Sequence, residues 1–225
     1  MIEEALIKNL YDLNETMAAS FLGGFTYPWE ALNGIGEMII GLIPALDHSI
    51  YEERREYGEN VWIARSAVVY PSACIKGPCI IGERSEVRHS AFIRGKALVG
   101  NYCTVGNSTE LKNVILFNHV QVPHFNYVGD SILGYYSHMG AGAIASNVKA
   151  DKKNIVIKMG DEAVETGLKK IGALLGDYVE VGCNSVLNPG TVVGRHTNIY
   201  ATSNVRGIIP PDSIFKDQSN IVKKC

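Results

Sequence analysis

At 225 residues the chain is long enough for one sizeable core, or for a core carrying an appendage. Its formal net charge of −2 supplies no global basic field for nucleic acid, and its longest apolar stretch, around Met38 to Leu46, is too short to span a bilayer. The five cysteines (Cys74, Cys79, Cys103, Cys183, Cys225) form no C-x-x-C pair, which argues against zinc ribbons and redox motifs and points to reduced thiols. The first thirty residues show no basic-then-apolar leader, so a cytoplasmic protein is expected.

Residues 1–57 open with "IEEALIKNLYDLNETMAASFL", where Leu6, Leu10, Leu13 and Met17 recur at helical spacing. "TYPWEAL" follows, with Thr26 in N-cap position and Pro28 and Glu30 in a first turn. A helical N-terminal cap over the first repeat unit is expected here, since terminal units of repeat proteins are atypical. A partner-binding arm is the other reading. Trp29 and Trp62 are read as packing residues where this segment meets the repeats.

From Ile63 the chain keeps a six-residue clock: Val69, Ile75, Ile81, Val87, Ile93, Val99, Val105 and Leu111. Small residues (Ala67, Ala73, Cys79, Ser85, Ala91, Ala97, Cys103, Thr109) stand two places before these aliphatics. The clock restarts near Leu133 and Met139 and returns at Leu175, Val181, Leu187, Val193, Ile199 and Val205. A helix has no period of six and a half-buried strand has a period of two. One short strand and one turn on each side of a three-sided coil does have it, and the stacked coils bury a continuous core. The fold class is therefore mainly β: a parallel β-helix of hexapeptide repeats over residues 58–216, followed by a tail at 217–225. Glycines directly after the aliphatic (Gly82, Gly100, Gly106, Gly140, Gly182 among them) are expected to ease tight turns.

Two breaks interrupt the clock. Leu111 to Leu133 spans 22 residues instead of 18, which predicts a loop bulging within 112–132 and carrying His124. A polar excursion over 148–172 contains "NIVIKMGDEAVET", a hairpin turning near Gly160. Arg94 and Lys112 lie 18 residues apart, one full coil, so they stack about 4.8 Å apart on one face. Two adjacent cations repel unless an anion joins them, so either a phosphate site or a splayed, solvated pair is predicted. His124, with Tyr127 and Asp130 close behind, suits proton removal. The Gly140–Ala143 run, "GAGA", exposes backbone N–H groups that suit a carbonyl or oxyanion, or simply makes a tight corner.

These residues carry a resemblance. His124, Tyr127, Gly129-Asp130, "HMGAGA", Asn147 and Lys153 are similar to the signature of the left-handed β-helix hexapeptide-repeat acyltransferases. They resemble in particular the acetyltransferase domain of the bifunctional N-acetylglucosamine-1-phosphate uridyltransferase/glucosamine-1-phosphate acetyltransferase family. The likeness covers roughly residues 60–216 and needs no gaps from Arg94 to Lys153. It implies acetyl-CoA as co-substrate, no metal, and a homotrimer with sites between subunits. It implies His124 as general base and Arg94, Lys112, Tyr127 and Lys153 as holders of a sugar phosphate. Ala141 (through its backbone), Asn147, Cys183 and Ala201 match positions at the coenzyme.

His138 and Val148 depart from that pattern near the acceptor and leave the sugar's identity open, with His138 counted among the substrate-binding positions. The family's glycine-rich nucleotide loop has no counterpart here, so nucleotidyl transfer is not expected of these residues. O-acetylation of a sugar or nucleotide-sugar, and a non-catalytic sugar-phosphate-binding scaffold, are the alternatives. A γ-class carbonic anhydrase pattern is the weaker rival: His119 and His124 have that class's spacing of five, but His89 lies off the required face.

Overall fold

The computed structural model describes residues 1–224. From Val61 onward the chain climbs a three-sided coil of short parallel strands. The first face holds Val61–Ala64, Cys79–Ile81, Ala97–Val99, Ala173–Leu175, Thr191–Val193 and Ile208–Ile209. The second runs from Val68–Val69 through Thr104–Asn107, Gln121–His124 and His138–Met139 to Ser213–Asp217. The third runs from Cys74–Ile75 through Phe92–Ile93 and Ile144–Ala145 to Asn204–Val205. The clock aliphatics point inward: Ile81, Val87, Ile93, Val99, Val105 and Leu111 are all fully buried. The small residues before them are corner residues. The hydroxyls of Ser85 and Thr109 donate to the Gly100 and Val122 carbonyls of the coil above, at 2.7 and 2.9 Å.

Residues 112–132 are not a loop. Glu110–Leu116, Gln121–His124 and Tyr127–Leu133 are ordinary rungs. Leu111 pairs with Val128 and Leu116 with Leu133, so a coil here takes 17 residues instead of 18. The missing residue comes from the corner between third and first faces, where Asn113 and Asp130 turn the chain in left-handed conformation (φ 55° and 49°). Glu110–Leu116 and Tyr127–Leu133 therefore bend straight from one face into the next. The excursion does contain the expected hairpin, Val156–Met159 against Glu162–Glu165, closed at Gly160.

The glycines after the inward aliphatics serve a different purpose from the one expected. A Cβ on Gly106 would fall 1.5 Å from the Pro123 carbonyl oxygen of the next coil, and one on Gly182 would fall 2.4 Å from the Ala201 nitrogen. They permit close stacking of coils. The left-handed corners are instead taken by side-chain-bearing residues, among them Tyr102, His119, Tyr136, Tyr178 and His196. Their rings stack one on the next along the corner between first and second faces, with centroids 4.4 to 5.7 Å apart.

The N-terminal segment is not an end cap. It is a strap of short helical turns (Ile7–Leu10, Ala19–Leu22, and Pro28–Gly34 running into Ile35–Leu42) lying along the first face. That face needs a cover because its strands are apolar on both sides: Ile80, Leu98, Ile115, Ile132, Leu174 and Val192 point outward, yet all are fully buried. The strap also has polar anchors. The Asp12 N–H donates to Asp177 at 2.8 Å, Asn118 donates to Glu15 at 3.0 Å, and the Tyr11 ring lies 5.1 Å from that of Phe117. Trp29 is buried and stacked on Tyr27 at 4.3 Å, in the part of the strap that packs on Tyr127–Leu133, far along the coil from its first turn. Beyond residue 216, Asn220–Lys223 pairs antiparallel with Ser213–Asp217, so the expected tail is the return arm of a hairpin. No helix among the described residues is long and apolar enough to cross a membrane.

Candidate active site

The predicted site residues fall into two groups on two faces of the chain, with His124 between them. On the third face, Arg94 and Lys112 project from successive coils, as the spacing predicts. They are not left as a bare like-charged pair. Arg94 donates to Glu110 at 2.7 Å, and the Lys112 ammonium lies 3.3 Å from Asp130. Each cation already has a carboxylate of the chain beside it, so the spacing by itself does not require a bound anion.

Asp130 is the hub of this group. It is buried, in left-handed conformation, and accepts from Asn113 at 2.9 Å and from Asn147 at 2.6 Å as well as from Lys112. Tyr127 lies over Gly129, where a Cβ would come within 2.6 Å of the phenol oxygen and 3.0 Å of Asn147 Nδ2. Burial raises the Tyr127 pKa, and the nearby Asp130 and Glu110 carboxylates add to the rise, so the phenol stays protonated. Lys153 stands apart. It is exposed, and only its backbone N–H is engaged, by Asp151 at 3.1 Å.

On the second face, His138, Cys183 and Ala201 line one cleft of about 360 Å³ together with Gly140, Gly182 and Tyr200. His138 Nδ1 lies 2.8 Å from Glu180 of the next coil, which fixes the ring against the cleft wall. Gly140, Gly182 and Ala201 leave space between the side chains of His138, Glu180, Asn198 and Tyr200.

His124 ends its second-face strand at the corner leading to Tyr127. Its side chain is exposed, and its ring makes no hydrogen bond among the described residues. Its carbonyl accepts from the Gly142 N–H at 3.0 Å, so the Gly140–Ala143 run passes directly beneath it. Within that run the N–H groups of Gly140, Gly142 and Ala143 are spent on Val181, His124 and Gly140 carbonyls. The Ala141 N–H has no such partner among the described residues and remains the run's open donor.

Sequence reasoning passed over Asn126. It is buried, takes the His124 N–H on its Oδ1 at 3.2 Å, and donates through Nδ2 to the Gly140 and Ala143 carbonyls at 2.8 and 3.2 Å. It therefore clamps the histidine's backbone to the glycine-alanine run. Glu110, Asn113 and the hub role of Asp130 were missed as well. No period in the sequence marks them, because the 17-residue step from Asn113 to Asp130 shows only in the register of the adjacent coils.

The three histidines of the metal pattern do not converge. His119 is sandwiched between Tyr102 and Tyr136 at one corner, His124 stands at the next, and His89 lies against Tyr70. Among the described residues no three His, Cys, Asp or Glu side chains come together as a metal-binding group.

Residues 75–209 match the family described as GMPPB C-terminal domain. The chain belongs to this family. Among curated relatives, the bifunctional protein GlmU of Methanococcus maripaludis is 32% identical over 200 residues, covering 88% of this chain and 48% of that one. A bifunctional sugar-1-phosphate nucleotidylyltransferase/acetyltransferase of Sulfurisphaera tokodaii is 26% identical over 160 residues, covering 63% of this chain and 40% of the relative. The chain thus spans about half the length of the curated relatives it matches. These relatives agree with the resemblance read from the His124–Lys153 motif. Among solved structures, the acetyltransferase domain of PglB from Neisseria gonorrhoeae, in complex with acetyl coenzyme A, aligns with a TM-score of 0.39 at 18% identity, over 72% of this chain and 57% of that one.

Proposed function

We propose that the chain is an acyltransferase that moves an acetyl group from acetyl-CoA to the amine of a phosphorylated amino sugar of the glucosamine 1-phosphate or galactosamine 1-phosphate type. The observation that carries this reading is the place of His124, at the corner between the second face, with its cleft, and the third-face cluster of Arg94, Lys112, Tyr127 and Asn147. The names of the relatives, which join sugar-phosphate and acetyltransferase activities, support it. So does the cleft at Gly140, Gly182 and Ala201, where small residues leave room for the slender arm of a thioester.

Acetyl-CoA supplies the acyl group when bound. Arg94 and Lys112 hold the acceptor's phosphate and so point its amine at His124, and much of the rate comes from this positioning. As the C–N bond forms and the C–S bond breaks, His124 Nε2 or Nδ1 takes the amine proton and returns it to the departing thiolate. The Ala141 N–H, without a backbone acceptor among the described residues, receives the carbonyl oxygen as it gains charge. Clefts on two different faces of one chain suit a homotrimer in which the third face of one subunit meets the second face of its neighbour.

The test is release of free thiol from acetyl-CoA with each hexosamine 1-phosphate. His124→Ala should slow it by about 10²- to 10⁴-fold. No release with either amino sugar phosphate overturns the N-acetyl assignment, and release only with hydroxyl acceptors replaces it by O-acetylation.

A further inference from the structure

Two elements outside the coil meet at the corner where the third face turns into the first. Leu32 and Asn33 of the strap approach from one side, held by Asn113 Nδ2 donating to the Leu32 carbonyl at 3.1 Å. The foot of the hairpin, Leu168 to Lys170, approaches from the other. It is held where the Ile171 N–H donates to the Asn147 carbonyl at 3.1 Å and the Gly172 N–H donates to that of Asp130 at 2.7 Å. Between them runs a groove with two lobes of about 310 and 230 Å³, which share Leu32, Asn33, Asn113 and Asp130.

The first lobe carries Arg94, Lys96 and Lys112, and the second carries Lys169 and Lys170. Arg94 and Lys112 are paired with Glu110 and Asp130, whereas Lys96, Lys169 and Lys170 form no ion pair among the described residues. Asp130 is already engaged by Lys112, Asn113 and Asn147 and pairs with none of the three. The strap makes room for Lys96: a Cβ on Gly36 would come within 3.3 Å of its Cγ, Cδ and Cε. Five cations thus line one groove whose wall has Asp130 as its carboxylate, with Glu110 paired to Arg94 outside it, and the unpaired cations sit on both sides of the Arg94–Lys112 pair. A single phosphate at Arg94 and Lys112 leaves the hairpin lysines unanswered, while an anion with a second phosphoryl group answers them.

We propose that this groove is a second phosphoryl subsite, formed by Lys169 and Lys170 with Lys96 and Asn33. It takes the further phosphoryl group of a diphosphate ester, an amino sugar joined to a nucleoside diphosphate or a similar pyrophosphate, beyond the monophosphate that Arg94 and Lys112 hold by themselves. This rests on the acyl-acceptor reading of the Arg94–Lys112 cluster. The experiment is calorimetric titration of the full chain with inorganic phosphate and with pyrophosphate, at one ionic strength and without acetyl-CoA. Pyrophosphate should bind at least tenfold more tightly. The double variant Lys169→Gln/Lys170→Gln should lose most of that advantage while holding phosphate within twofold. Lys96→Gln, on a different element, should give a partial loss of the same kind. Equal affinity for the two anions overturns the proposal, and so does an advantage unchanged in both variants. Acetyl transfer is not read in this titration, so its absence in the thiol assay leaves the subsite standing, and failure of pyrophosphate leaves the transferase reading standing.

Discussion

His124 and Asn126 separate the proposed chemistry from its support within three residues of chain. The imidazole has no hydrogen-bond partner among the described residues, so His124→Ala should leave the melting temperature within about 1 °C while it removes the proposed activity. Asn126→Ala should instead cost stability, roughly 1–3 kcal/mol, because it orphans the buried Gly140 and Ala143 carbonyls and frees the histidine's backbone. Chemical unfolding of the two variants checks the contrast. The thiols divide in the same way. Burial pushes Cys79 and Cys103 up to about 12, whereas Cys74 and Cys183 are exposed. Alkylation of the native chain at pH 8 should therefore mark Cys74 and Cys183 and spare Cys79 and Cys103, as read by peptide mass. Acetyl-CoA should protect Cys183 and leave Cys74 reactive if the second-face cleft holds the coenzyme. The buried thiols also fix the sign of an alkaline effect. Their native pKa lies above the unfolded value, so their contribution to stability is whole below about pH 9 and fades as pH rises toward 12.

The elements of this molecule divide into those a repeat builds and those that lean on it. The strap's short helical turns, four to eight residues each where α-helical, are too brief to stand alone. They hold because the outward column of the first face gives them apolar surface. Leu98→Ala should cost about 2–5 kcal/mol and loosen the strap first, seen as faster amide exchange in Ile35–Leu42 than in the strands of the second face. Asp177 locks the other end. It is buried, accepts from the Asp12 and Tyr135 N–H groups at 2.8 and 2.9 Å, and is paired with Arg195. Burial raises its pKa despite these donors, which pull the other way.

At the scale of the whole molecule, the Cys183–Ala201 cleft and the Arg94–Lys112 cluster lie on different faces of a rigid stack, so neither can swing to the other within one chain. If the third face of one subunit meets the second face of the next, two defective chains should repair each other. Lys112→Ala spoils the phosphate side and Ala201→Trp blocks the cleft side. Each should be inactive alone, and mixed oligomers formed by unfolding and refolding the two together should regain thiol release. Activity that stays at zero in the mixture, with oligomers verified by size, shows that each site lies within one chain.

The hexapeptide coil was legible because its cause is periodic. Each inward aliphatic packs on its counterpart one turn above, so the same demand recurs in the sequence and can be counted there. The hairpin at Gly160 was legible for a local reason, two strand-like runs about a turn. The 17-residue coils were not, because the shortening at Asn113 and Asp130 shows only when the register of adjacent coils is known. They turned a supposed loop into rungs and set His124 at a corner. The strap was half visible: runs such as "CII", "ALV" and "ALL" are apolar on consecutive residues, which means a strand buried on both sides, but not what buries it. The groove of Asn33, Lys96, Lys169 and Lys170 was invisible, since its members come from three separated segments. Sequence by itself fixed what repeats, because packing between like rungs is written into every rung. Only the tertiary structure decided what those rungs hold against one another, because contacts between unlike segments leave no period to read.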